Sequence, residues 1–238
     1  MIELDDVLVT AWSPDPAGGP DRVVPLLGPV TLRLAERRIA VVGANGSGKS
    51  TLARLLNGLV LPSAGAVTVD GLDTARDGAA VRRRVGFVFT DPDAQIVMPT
   101  PVEDVALSLR RLPLTKAARQ AAAIDALDRF GLGDRAHVPV QALSGGQRQL
   151  LALASVLATR PDVLVCDEPT TLLDLRWRSR VDALLEGLEQ QVVLVTHDLE
   201  AAARADRVLV VDGGRVVADG DPASALAAYR ALMLGVRP

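Results

Sequence analysis

Two kinds of apolar pattern alternate along this chain. The segments "IELDDVLVT", "GPVTLRL" and "GAVTVDG" interleave apolar and polar residues, as antiparallel strands do when one face meets a core and the other meets water. The segments "RRIAVVG", "VGFVFT", "DVLVCDE", "VVLVTHD" and "RVLVVDG" are nearly continuous apolar runs, the pattern of parallel strands covered on both faces. Helical spacing fills several of the gaps. In "TLARLLNGLV", Leu52, Leu55, Leu56 and Leu59 fall at i, i+3, i+4 and i+7, one face of a helix that an Asn-Gly pair should end. From about residue 92 to residue 142 no strand pattern survives, and "LTKAARQAAAIDALDRFG" reads as a helix capped by Thr115 and ended by Gly131. "RVLVVDGGRVVADG" reads as a hairpin turning at Asp212, Gly213 and Gly214. Together these elements predict an α/β fold with a mixed-sheet core, an antiparallel β-subdomain near the N-terminus and a helical subdomain inserted at about residues 92–158. The whole of residues 1–238 is expected to form one domain.

Composition narrows what such a fold is for. Hydrophobic residues make up 49% and the formal net charge is -3, so there is no basic surplus to grip a nucleic acid backbone. One cysteine, Cys166, excludes an internal disulfide or a cysteine-based zinc cluster, and suits a reducing compartment as a small buried apolar group. The opening "MIELDDVLVT" is acidic where a secretion signal would be basic, and the longest uncharged run, near "QLLALASVLAT", is too short to span a bilayer. A soluble protein, able to dock on a membrane protein, is expected.

Candidate chemistry begins at "GANGSGKS". It fits G-x-x-x-x-G-K-[ST] at Gly43, Gly48, Lys49 and Ser50, between an apolar strand and an amphipathic helix. Glycines are poor core residues, but they let successive backbone N–H groups turn inward as a nest for anionic oxygens, at a helix start that adds positive charge. Gly43, Ala44, Asn45, Gly46, Ser47, Gly48, Lys49, Ser50 and Thr51 are the candidate nucleotide-binding residues. Lys49 is placed to reach the β and γ phosphates, and the Ser50 hydroxyl to ligate Mg²⁺. The core is thus a P-loop NTPase, a class shared by kinases, GTPases, motors and transport ATPases.

Further signals lie downstream. "LVCDEP" ends a buried strand with two carboxylates: Asp167 to hold Mg²⁺ and Glu168 to act as general base on the attacking water. In "LSGGQRQL", Ser144 and Gln147 form an S-x-x-Q capping box, while Gly145 and Gly146 bare N–H groups at a second anion-receptive helix start. Two such starts in one small chain suggest a phosphate shared between two chains. His197, in "LVTHDLE", stands at a strand end as a γ-phosphate contact, whereas His137 lacks such a setting. Asp174, in "TTLLDL", follows Glu168 by six residues, a spacing that a turn into the next helix alone would also give.

In this order the residues resemble the ATP-binding subunits of ABC transporters over nearly the whole chain: P-loop at Gly43 to Ser50, signature at Leu143 to Gln147, acidic strand end at Asp167 and Glu168, aspartate loop at Asp174, switch histidine at His197. The resemblance implies ATP hydrolysis with Mg²⁺ by a head-to-tail pair. In it the P-loop of one subunit and the Ser144 region of the other sandwich each ATP. A homodimer is expected because each half-site is intact in this one sequence. "VGFVFTDPDAQIVMPTPVEDVALSL" is further similar to the ATPases of energy-coupling-factor importers, which take up transition metals or vitamins. Cobalt or nickel and biotin are the branches it is most like, with a lean to cobalt. That likeness implies a peripheral subunit on the cytoplasmic face of the membrane, partnered by a coupling protein and a substrate-binding membrane component.

The chain departs from that family at two positions. Thr90 stands where the family has its Mg²⁺-contacting glutamine, so Thr90 is the candidate there, while Gln95 matches a second, less central glutamine. Trp12 is the candidate adenine-stacking aromatic, about one residue out of place and followed by a long "SPDPAGGPDR" loop. Length and the single cysteine exclude the coiled-coil and zinc modules of DNA-maintenance ATPases, and a small-molecule kinase has no use for "LSGGQ". An ABC ATPase serving an exporter remains open as the alternative.

Overall fold

The structure, a computed structural model, describes residues 1–14 and 21–235. Most of the "SPDPAGGPDR" loop therefore lies outside the described residues. By internal contacts the chain divides into Met1–Val85 with Gln191–Pro238, and Gly86–Gln190.

In the first unit, β1 (Ile2–Ser13), β2 (Arg22–Leu34), β4 (Ala64–Val69) and β5 (Leu72–Asp73) form an antiparallel sheet in the order β2-β1-β4-β5. Alternation in β1 is reset by a bulge. Ile2 and Leu4 face the core, the exposed pair Asp5 and Asp6 breaks the register with φ 47° at Asp6, and Val7 and Val9 return to the core. In a second sheet, β3 (Arg38–Val42) lies between β8 (Gln191–Val195) and β9 (Arg207–Asp212), parallel to both, and β10 (Arg215–Gly220) runs antiparallel to β9. The continuous apolar runs are buried as expected: Ile39, Ala40, Val41 and Val42 are at most 1% exposed. The helices of this unit are α1 (Lys49–Leu55), α2 (Gly78–Arg84), α7 (Leu199–Ala203) and α8 (Pro222–Met233). Ala202 of α7 and Ala225 and Leu226 of α8 join Ala40, Val42, Val208 and Val210 in one cluster of the core.

One helical expectation needs correction. α1 ends at Leu55, and only Leu52, Leu55 and Leu56 of the expected face are buried. The Asn57-Gly58 pair does stop the helix, but the chain reverses there so that both Leu59 and Val60 N–H donate to Arg54 O, and Leu59, expected on the helical face, is left exposed.

Arg207 ties the two sheets of this unit together. Its guanidinium donates to both oxygens of Asp219 at 2.6 and 2.7 Å, to the Arg33 carbonyl at 2.8 Å and to Glu36 Oε1 at 3.1 Å. Burial raises the Glu36 pKa, but the Glu36 and Ala35 backbone N–H groups and Arg207 outweigh it and hold the carboxyl below its usual range. A carboxyl lowered in the folded state stabilises the fold above its unfolded pKa, and that stability is lost as pH falls through the folded value. Replacing the arginine in Arg207→Met is expected to cost about 1–2 kcal/mol at neutral pH, after allowance for solvent screening. Urea denaturation should show the gap to the parent narrowing once the solution is acidic enough to protonate Glu36.

The second unit holds β6 (Val85–Val88), of which Val85 belongs to the first unit, beside β7 (Val163–Asp167), with α3 (Pro101–Ser108), α4 (Lys116–Arg129), α5 (Gly145–Leu157) and α6 (Leu175–Gly187). Between residues 92 and 157 the ordered elements are helical, and Thr115 caps α4 by accepting from Ala118 N–H, as read from the sequence. α3 packs against α4 and α5. Its Asp104 is 4% exposed and accepts from Val97 N–H at 2.9 Å, Met98 N–H at 3.2 Å and Ser155 Oγ at 2.9 Å, so one buried carboxylate pins residues 96–99 to two helices. Cys166 is fully buried in β7, and burial, with the charge of Asp167, pushes its thiol up out of reactive range.

Candidate functional site

The glycine loop joins β3 to α1. Gly48, at φ 106°, is the N-cap of α1, and a side chain there would sit 2.9 Å from the Leu26 carbonyl, so the backbone conformation and the space both require glycine. Ser47 is clamped from two sides: its N–H donates to Ala44 O, and its carbonyl accepts from Gly214 N–H at 2.9 Å in the β9–β10 turn. Lys49 is 5% exposed, and its ammonium donates to Gly43 O at 2.9 Å and Ala44 O at 2.8 Å. Open space faces Gly46, and the buried Ser47 hydroxyl has no hydrogen-bond partner. A positive φ at Gly46 and Gly48, a buried ammonium at the mouth and an unmatched hydroxyl form a donor set suited to phosphate oxygens. Ser50 and Thr51 follow within the first turn of α1.

Two other candidates lie in the same unit. β8 ends at Val195, and Thr196 N–H donates to Val41 O at 3.1 Å, which carries the parallel pairing up to the residue before His197. Thr196 Oγ1 accepts from Asp198 N–H, and Asp198 in turn caps α7, so the exposed His197 sits in a fixed turn one strand from the glycine loop. Trp12, on β1 opposite Val23, is 73% exposed. An indole so open to solvent has a free face for an aromatic ring.

The second unit carries the carboxylates. Asp167, the last residue of β7, is 2% exposed. Glu168 follows at φ 50°, a left-handed conformation that a non-glycine residue holds only at a cost of about 1–3 kcal/mol, of the kind found at functional sites. Its Oε2 accepts from Thr171 Oγ1 at 2.9 Å. Thr90 belongs to this group, because its hydroxyl donates to Asp167 O at 2.7 Å and keeps its lone pairs for water or a cation. Gln95 does not point toward it: Oε1 accepts from Phe89 N–H at 3.2 Å, just before Thr90, and Nε2 faces Ala152 O of α5 at 3.5 Å. Among the described residues there is no cluster of three His, Cys, Asp or Glu side chains able to hold a metal ion, so a magnesium ion would draw part of its shell from hydroxyl, water and phosphate oxygens.

α5 opens with the expected capping box. Gln147 N–H donates to Ser144 Oγ and Ser144 N–H to Gln147 Oε1, leaving the N–H groups of the exposed Gly145 and buried Gly146 at the helix start. Asp174 caps α6 through Trp177 N–H at 3.0 Å. An open groove of about 550 Å³ runs beside the start of α5, lined by Ile96, Val97, Met98 and Val140, with Asp93 and Arg148 paired at its edge at 2.9 Å. Three participants escaped the sequence reading. Thr171 and Arg148 adjoin motifs already singled out, whereas nothing in the sequence marks Trp177.

A family description, "ABC transporter", matches residues 28–171, more than half of the chain. The chain belongs to the ABC transporter family. Its domain is an ATPase, of a family whose ATPases dimerise and work with membrane components. Its relatives include ATP-binding proteins of biotin transport and of energy-coupling factor transporters. The biotin transport ATP-binding protein BioM of Rhizobium etli is 47% identical over 204 residues, 86% of this chain and 91% of BioM. The energy-coupling factor transporter ATP-binding protein EcfA1 of Symbiobacterium thermophilum is 44% identical, over 84% of this chain and 73% of EcfA1. Among solved structures, the dimeric ATP-binding cassette MJ0796 bound to ADP and Pi superposes with TM-score 0.80 at 28% identity, covering 93% of this chain and 99% of that one. Among the described residues no helix is long and apolar enough to cross a membrane.

Proposed function

We propose that this chain is the ATP-hydrolysing subunit of an energy-coupling-factor importer, acting as a homodimer that sandwiches two ATP molecules. One observation carries the reading: a second capped helix start, at Ser144 to Gln147, bares N–H groups besides the phosphate loop at Gly43 to Thr51. The dimeric form of MJ0796 with ADP and Pi supports pairing. In this mechanism the glycine loop and Lys49 hold the phosphates, Trp12 stacks on adenine, and Ser144, Gly145, Gly146 and Gln147 of the second copy close over the γ phosphate. Ser50, Asp167 and Thr90 would hold Mg²⁺, which when bound supplies charge neutralisation at the phosphates. Glu168 takes the proton of the attacking water and His197 contacts the γ phosphate. Residues 92–158 act as the helical lobe of a single ATPase domain. The groove beside Val97 and Met98 receives the coupling protein, at the cytoplasmic face of the membrane.

Likeness to BioM favours a vitamin such as biotin as the cargo over the cobalt branch. Purification of the assembly from detergent-solubilised membranes through a tag on this chain tests the reading. A coupling protein and a separate substrate-binding protein, giving ATP-dependent biotin uptake in proteoliposomes, are expected; a pair of large exporter subunits would replace it.

Thr90 and Gln95 divide the work of the family's Mg²⁺-contacting glutamine. With Thr90 on the Asp167 carbonyl and Gln95 tied between Phe89 and α5, Thr90→Gln should alter the ATPase of the free dimer more than uptake. Gln95→Ala should damage uptake more than free ATPase. Parallel ATPase and uptake assays check this, and equal losses in both variants would remove the division.

A further inference from the structure

Trp177 touches the glycine pair at the start of α5. A methyl group on Gly146 would come within 2.2 Å of Trp177 Cγ and 2.3 Å of Cδ2, so the indole lies flush against the Gly146 Cα with no room for any side chain. Trp177 is itself held at its backbone and over its ring. Its backbone N–H is the donor to Asp174 that caps α6. Over its ring stands the guanidinium of Arg180, 5.6 Å from the ring centroid, and Arg180 Nη2 donates to Phe130 O at 3.0 Å, at the end of α4. A side chain at Gly131 would meet that same Nη2 at 2.4 Å. Three helix ends thus converge on one half-buried ring.

Two consecutive glycines at a helix start have the greatest backbone freedom of any pair, and the helix alone fixes them poorly. The capping box constrains Ser144 and Gln147, but Gly145 meets nothing within 4 Å on its side-chain side. The indole is the rigid surface against which Gly146 is seated. We propose that Trp177 is a positioning residue: it fixes the α5 start in the geometry that receives the nucleotide of a second copy of this chain, and couples that geometry to Asp174 and to the end of α4. This rests on the sandwich reading above.

The test uses the full chain carrying Glu168→Gln, with dimerisation on Mg-ATP followed by sedimentation velocity and nucleotide binding followed with a fluorescent ATP analogue. Trp177→Ala is expected to raise the ATP-dependent dimer dissociation constant at least tenfold while nucleotide affinity of the monomer stays within about twofold, and Trp177→Phe should recover most of the loss. A change that merely loosened the fold would move both affinities and the melting temperature together. Ser144→Arg serves as the control for the underlying reading. If Ser144→Arg abolishes dimerisation and Trp177→Ala leaves it within twofold, the positioning role is wrong and the sandwich stands; if Ser144→Arg dimerises like its parent, the sandwich itself is wrong. Should Trp177→Ala fail to fold, Trp177→Leu, which keeps apolar volume but removes the planar ring from Gly146, takes its place with the same expectation, and dimerisation within twofold of the parent overturns the proposal.

Discussion

Glu168→Gln is expected to slow ATP hydrolysis by roughly 10²- to 10⁴-fold, the usual contribution of a positioned general base. The substitution removes proton affinity and little else. Glutamine is nearly isosteric, and its amide oxygen still accepts from Thr171 Oγ1. Nucleotide binding should therefore survive. Since opening of an ATP sandwich follows hydrolysis, the variant should accumulate as a dimer on Mg-ATP, by sedimentation of this chain alone. Phosphate release at the parent rate would show that another group takes the proton. Monomers persisting across a wide concentration range would instead point to a different partner chain.

Loss of Lys49 should be comparable in size but opposite in kind. In Lys49→Met the apolar stem survives in its buried channel, and the ammonium alone disappears. A hydrogen bond from a charged donor is worth about 1.5–3 kcal/mol, and two phosphate oxygens stand to lose one, so ATP affinity should fall by roughly 10²-fold or more. The variant also leaves the Gly43 and Ala44 carbonyls without their ammonium donor, which loosens the loop itself. Titration calorimetry on the isolated chain separates the two cases: Glu168→Gln binds and does not turn over, whereas Lys49→Met does not bind at micromolar ATP. Micromolar binding by Lys49→Met would mean that the loop N–H groups hold the phosphates unaided.

The glycine loop, the Ser144 to Gln147 capping box, the Thr115 cap and the buried strands were legible from the chain alone. Each depends on residues within a few positions of one another: a backbone that needs positive φ, a side-chain oxygen reaching an N–H three residues on, or a run of apolar residues with nowhere else to go. Local reading misplaced Leu59 on the face of α1, since a four-leucine stripe continues past the point where Asn57 and Gly58 turn the chain. What only the tertiary structure decided are partnerships across long stretches of sequence. Thr90 rests on the Asp167 carbonyl 77 residues away, Asp104 meets Ser155 51 residues away, and Trp177 backs Gly146 because of where α6 packs. Hydroxyls, carboxylates and indoles have many possible partners in an unfolded chain, and hydrophobic periodicity says which face of an element is buried but not which residue of another element it meets.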